Sequence, residues 1–317
     1  MPVQAASLEA NMASQFIVER NVMNIQGVGV ACRCVEGVVR GNRIQCGESA
    51  IVARCKRGVV QDNIINSTQQ QQASTSGLIV AGRFRTSSDD LPSFRIAGNR
   101  LENGPGHGIV LESLSSVIVE NNIIAGMAGN GITAASDAIL LDTARICGNQ
   151  ISFCRAVKAL TSFPGAIILP EITSNLEVQG NRLSANQGAG LILNILAIGG
   201  NTSGNLRLLV QDNSMDSQGD VVMGIIVGYA IQFTGNQCIE RISGPLTHPL
   251  MTLIGQWIVA TGNTVLHNQP GPGVSSLVLQ TAASANSNAI ATTNILNGNP
   301  QINGTFAHLL ITPNITV

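Results

Sequence analysis

An asparagine returns along this chain at positions 21, 42, 63, 99, 122, 149, 181, 213, 236 and 263, in most cases directly behind a Gly, Asp or Asn. The intervals are 21, 21, 36, 23, 27, 32, 32, 23 and 27 residues, so one period of 21 to 23 with insertions accounts for all of them. Self-similarity on this length scale marks a chain that stacks one small unit on the next. Setting the sequence in register on the Asn sorts its neighbours into columns. Two positions after it stand Met23, Ile44, Ile65, Leu101, Ile124, Ile151, Leu183, Met215, Cys238 and Val265; three before it stand Val18, Val39, Val60, Ile96, Val119, Ile146, Val178, Val210, Phe233 and Ala260. Both columns are apolar throughout, in a chain that is 44% hydrophobic overall.

Offsets of −5 and −3 describe an alternating strand before a corner, and +2 begins another strand after it. A third short strand follows nine or ten residues on, as in Ala50-Ile51-Val52, Gly108-Ile109-Val110, Gly131-Ile132 and Gly190-Leu191-Ile192. Three strands and three corners per turn, stacked at the ~4.8 Å strand spacing, give parallel sheets running along one axis. The fold expected is therefore all-β, a right-handed parallel β-helix of 11 or 12 coils, roughly 50 to 60 Å long at that rise. Weaker coils follow at Asn294 and Asn314. The corner Asn is expected to adopt left-handed backbone and to bond its amide to the equivalent residue above and below.

Composition agrees with a chain that turns often: 34 Gly, about thirty Asn, 11% charged and 3% aromatic residues. Gly and Asn are poor helix formers that tolerate tight corners. Residues 1–15 are expected to cap the N-terminal end, with Ala5 to Ala13 (Leu8 and Met12 included) as a short helix. Residues 16–317 then form a single β-helix domain with excursions near 66–93, 155–172 and 266–275, where the interval exceeds the period. Leu309 to Val317 still reads as strand and lacks a charged or proline-rich cap.

The net charge of −1 and the absence of a long basic cluster argue against a nucleic-acid partner. No apolar run is long enough to span a membrane, and Met1 to Val18 has neither a basic nor a continuous apolar region of the signal-peptide kind. Cysteines 32, 34, 46, 55, 147, 154 and 238 form no CxxC pair, and several fall on inward positions, where a thiol acts as a small apolar group. Reduced thiols point to an intracellular origin. Cys32 with Cys34 lacks two further ligands at a recognisable spacing, so no metal site and no resident cofactor are expected.

The coil pattern, apolar-x-apolar-x-Gly-Asn-x-apolar and then Gly-Ile/Val, resembles the parallel β-helix repeat family, which includes pectate lyases, polygalacturonases, alginate-modifying enzymes and phage tailspikes. The resemblance runs from residue 16 to about 300 and implies the fold; activity in such families is grafted onto the common solenoid. Gly104-Pro105-Gly106-His107-Gly108 is similar to the Gly-His-Gly segment of polygalacturonases. Carried over, that likeness makes His107, Asp89 and Asp90 the catalytic candidates and Arg145, in Arg145-Ile146, a substrate-binding one. The family's Asn-Thr-Asp element is missing, and Cys147 stands where its lysine would be.

Other groupings are Asp137 with Asp142, Asp212 with Asp216 and Asp220, and a basic series Arg33, Arg43, Arg54, Arg57 and Arg83. Each reads most simply as a solvated turn or face. Trp257, beside inward Ile258, belongs on the outer face and is the one obvious aromatic anchor for a sugar or other substrate. The function expected is a non-catalytic structural or binding module with a polysaccharide or protein partner, as a homo-oligomer or part of a larger assembly. The alternative is a lyase or hydrolase acting on an acidic polysaccharide, calcium being implied only for the lyase.

Overall fold

The computed structural model describes residues 8–68, 77–82, 92–135, 140–154, 165–172, 175–186, 189–195, 207–216, 223–241, 248–269, 274–281 and 287–316. Every strand pairing among them is parallel, as the repeat predicts. The short strand that follows each corner Asn stacks on its equivalents in one twelve-stranded sheet, from Val22–Ile25 to Ile315–Thr316. The other two sides of each coil join into a nineteen-stranded sheet.

Three separate strands per coil are expected from sequence, and among the described residues five coils depart from this. Leu8–Glu19, Val30–Arg40, Ile51–Gln61, Gly224–Thr234 and Met251–Thr261 each run unbroken around the bend between two sides. In two others the same stretch is divided, His107–Leu111 being followed by Leu114–Glu120 and Gln301–Asn303 by His308–Ile311. Small residues sit at the continuous bends, with Gly37 paired to Gly58 and Gly228 to Gly255. At Gly58 a Cβ would lie 2.0 Å from the Phe94 ring of the next coil. The Phe94 ring thus fills the space that the missing side chain of Gly58 leaves.

The two apolar columns form the core. All members of the +2 and −3 series are buried, from Met23 and Val18 at one end to Val265 and Ala260, and the series continue with Leu296 and Ala291. Burying each Leu or Ile contributes on the order of 1.5–3 kcal/mol, so the repeated column is the main source of stability.

The left-handed residue is the one before the ladder Asn, a correction to the expectation for the Asn itself. Positive φ occurs at Arg20, Gly41, Asp62, Gly98, Asn121, Gly148, Gly180, Asp212, Gly235, Gly262 and Thr293. This explains the Gly, Asp and Asn that precede the ladder, since these residues tolerate that backbone best. A second left-handed column, four residues past the Asn, holds Asn103, Gly126, Phe153, Ala185 and Gly298. It appears where the intervening strand is only two or three residues long.

The ladder itself is continuous over twelve rungs. Each Asn backbone N–H and side-chain Nδ2 donate to the Oδ1 of the next Asn, from Asn21 to Asn42 and on to Asn294 and Asn314. Nδ2 also donates to the carbonyl of the −3 residue one coil earlier, as Asn149 does to Val119 at 2.9 Å.

The expected N-terminal helix is replaced, from residue 8 onward, by strand Leu8–Glu19 in register with Val30–Arg40. The unpaired N–H and C=O groups of a sheet edge outweigh the modest helix propensity of an Ala-rich segment. Two of the expected excursions contain coil strands: Gly77–Gly82 lies within 66–93, and Gly165–Ile172 within 155–172. At the other end His308–Ile311 is exposed at all four residues, including the inward-register Leu309 and Ile311. No helix of the described residues is long and apolar enough to cross a membrane.

Candidate functional site

His107 opens strand His107–Leu111 at the corner after the twelve-stranded sheet. Its side chain is buried, 6% exposed, and burial alone lowers its pKa to about 4. The backbone N–H of Asn130, one coil on, donates to His107 Nδ1 at 2.9 Å. The imidazole is therefore neutral at pH 7, with Nδ1 as acceptor and the proton on Nε2. Asn130 continues the column: its Oδ1 accepts the Gly165 N–H at 2.9 Å, and its Nδ2 reaches Thr133 Oγ1 at 3.4 Å. Gly129 is required beside the ring, because a Cβ there would stand 2.7 Å from His107 Nδ1.

Asp89 and Asp90 lie outside the described residues, as do Arg83, Asp137 and Asp220. Arg145 is on a different ladder from His107, on the outer face of Leu140–Cys147, where it pairs with Glu177 at 3.4 Å. The same pattern recurs along the outer face. Arg95 bonds Glu120, Arg57 bonds Glu36, and Arg54 meets Glu112 through two bonds of 2.9 and 3.1 Å. Arg33 and Arg54 stand in register, as their one-period spacing implies. Asp216 pairs with Arg241 at 3.0 Å, and Asp212 sits at a left-handed corner accepting from Gln211 Nε2.

Trp257 is 49% exposed on the outer face. It stands in register with Asn288, and Asn288 with His308, while Val259, Ile290 and Leu310 make the adjacent outward column. These six residues line a groove of about 620 Å³ across three successive coils. The indole and the aliphatic column offer apolar contact, and Asn288 and His308 supply polar groups beside them.

Three thiols converge inside the second and third coils. Cys34 and Cys55 are in register with Sγ atoms 3.0 Å apart, and Cys32 Sγ lies 3.6 Å from Cys55 Sγ. All three are buried, and their sulfurs lie within 4.8 Å of one another. Burial pushes the Cys34 thiol up to about 11, while the Cys32–Cys55 contact lowers the Cys32 thiol and raises that of Cys55. This group escapes the sequence reading, although the interval from Cys34 to Cys55 equals the 21-residue period and brings their sulfurs together.

Residues 76–207 of the 317 match the family model described as "Right handed beta helix region". With the parallel sheets and the Asn ladder, this match identifies the fold as a right-handed parallel β-helix. No curated protein and no solved structure matches the chain.

Proposed function

We propose that this chain is a non-catalytic β-helix module that binds a partner, polysaccharide or protein, on the outer face of its last three coils. The observation that carries this reading is the state of His107. A general acid or base needs a pKa near the working pH and access to the reacting proton, whereas His107 is buried, neutral and bonded through Nδ1 to the Asn130 amide. The pairing of Arg145 with Glu177 on a separate face is consistent with the same view. The half-exposed Trp257, beside Ile290 and Leu310, supplies the kind of anchor around which binding surfaces are built.

Two measurements test the proposal. Acidic polysaccharides, with and without calcium, are assayed for reducing-sugar and unsaturated-product release, and no release is expected. Product formation that disappears in His107→Ala with folding intact would instead make the protein a carbohydrate-active enzyme. In parallel, immobilised wild type and Trp257→Ala are challenged with the same glycans and with extract from the source cells. Retention of one partner by the wild type, weakened at least about tenfold by the substitution, is expected for an aromatic anchor of ~1.4 kcal/mol or more; equal retention by both excludes this face.

A further inference from the structure

We propose that Cys32, Cys34 and Cys55 form a three-coordinate binding site for a soft monovalent cation, Cu(I). Three thiols are the whole ligand set within reach among the described residues. Soft sulfur ligands select Cu(I), whereas structural zinc takes four ligands. Trigonal ligation at a metal–sulfur distance of about 2.3 Å places the sulfurs about 4 Å apart. The separations of 3.0 and 3.6 Å, with the third side within 4.8 Å, describe a tighter triangle than that. Small side-chain rotations open the shorter edges.

The surroundings hold the triangle in place. Val30–Arg40 and Ile51–Gln61 are unbroken strands in parallel register, so the three Cβ atoms sit on a rigid sheet rather than on loops. A Cβ at Gly37 would fall 2.5 Å from Cys55 Sγ and 3.1 Å from Cys34 Sγ, so the glycine is what admits the Cys55 sulfur. Binding is written as Cu(I) plus three thiols giving a tris-thiolate complex and three protons; the copper enters already reduced, so no electron is transferred.

The test uses the full chain, reduced and free of oxygen, both native and refolded from denaturant, with Cu(I) supplied against a competing chelator. One copper per chain is expected, with a first shell of three sulfurs by X-ray absorption. Affinity should drop at least about a hundredfold in Cys55→Ala, while Cys238→Ala, equally buried in a distant coil, binds as the wild type does. Circular dichroism checks each variant, and Cys34→Ala replaces Cys55→Ala if the latter does not fold. The proposal is overturned if folded wild type with seven titratable thiols yields its copper to the chelator. Equal binding in the Cys55 or Cys34 variant would overturn it too, as would a Cys34–Cys55 disulfide that persists in place of metal under these conditions.

Discussion

At the scale of single residues, His107 shows how a solenoid corner turns a titratable group into a structural one. Its folded pKa of about 4 lies below the ordinary 6.5. Between these values the unfolded chain binds the extra proton, so stability is intact near pH 7 and falls as the pH drops from 6.5 toward 4. The loss amounts to roughly 3 kcal/mol at about 1.4 kcal/mol per unit of pKa. Urea titrations at pH 7 and pH 4 should show this difference in the wild type and a much smaller one in His107→Gln. In the sequence the residue stood out through the Gly106-His107-Gly108 segment, which made it a catalytic candidate. Its burial and its bond to the Asn130 amide depend on a residue one coil away, which the local motif does not specify. The ladder Asn was legible because its column repeats, yet its backbone was not: the same column fits an Asn at the left-handed position or just after it, and φ falls positive on the preceding residue.

Within the coil, the Asn ladder is the element on which most bonds converge. Asn149 accepts from the Asn122 N–H and Nδ2 and donates to Val119 O, Cys147 O and Asn181 Oδ1. Truncation strands several buried polar groups at about 1–3 kcal/mol each. Asn149→Ala should therefore lose about 3–5 kcal/mol by chemical denaturation, whereas Asn21→Ala, on the first rung, should lose about 1 kcal/mol. Strands were easier to read than their ends. The alternating columns identify the inward face, but whether two sides of a coil join into one strand depends on a bend eased by Gly37 and Gly58, which local alternation cannot reveal. The capping helix expected at Ala5 to Ala13 failed for a related reason: Leu8 and Met12 at helical spacing also suit a strand once the edge of Val30–Arg40 is there to pair with. The thiol triangle was half legible. Cys34 and Cys55 share the period, whereas the approach of Cys32 requires knowing which way each sulfur turns.

For the whole molecule, each coil touches mainly the one before and the one after, so cooperativity is expected to decay along the axis. Hydrogen exchange should register this. Amides of Ile123–Ala125 and Gln150–Ser152, midway along the twelve-stranded sheet, should exchange more than about tenfold more slowly than those of Ile295–Leu296 and Ile315–Thr316, the factor that ~1.4 kcal/mol of extra opening free energy produces. Uniform protection from end to end would show a single cooperative unit instead.

The Nδ2-to-Oδ1 distances stay between 2.9 and 3.1 Å whether 20, 27 or 36 residues separate the two partners. Contour length and axial length are thus independent quantities in this molecule. A segment can be spliced between two rungs while every rung keeps its height, so the protein measures distance by counting rungs. Two groups on its surface are spaced by the number of asparagines between them, whatever number of residues the chain spends on the way.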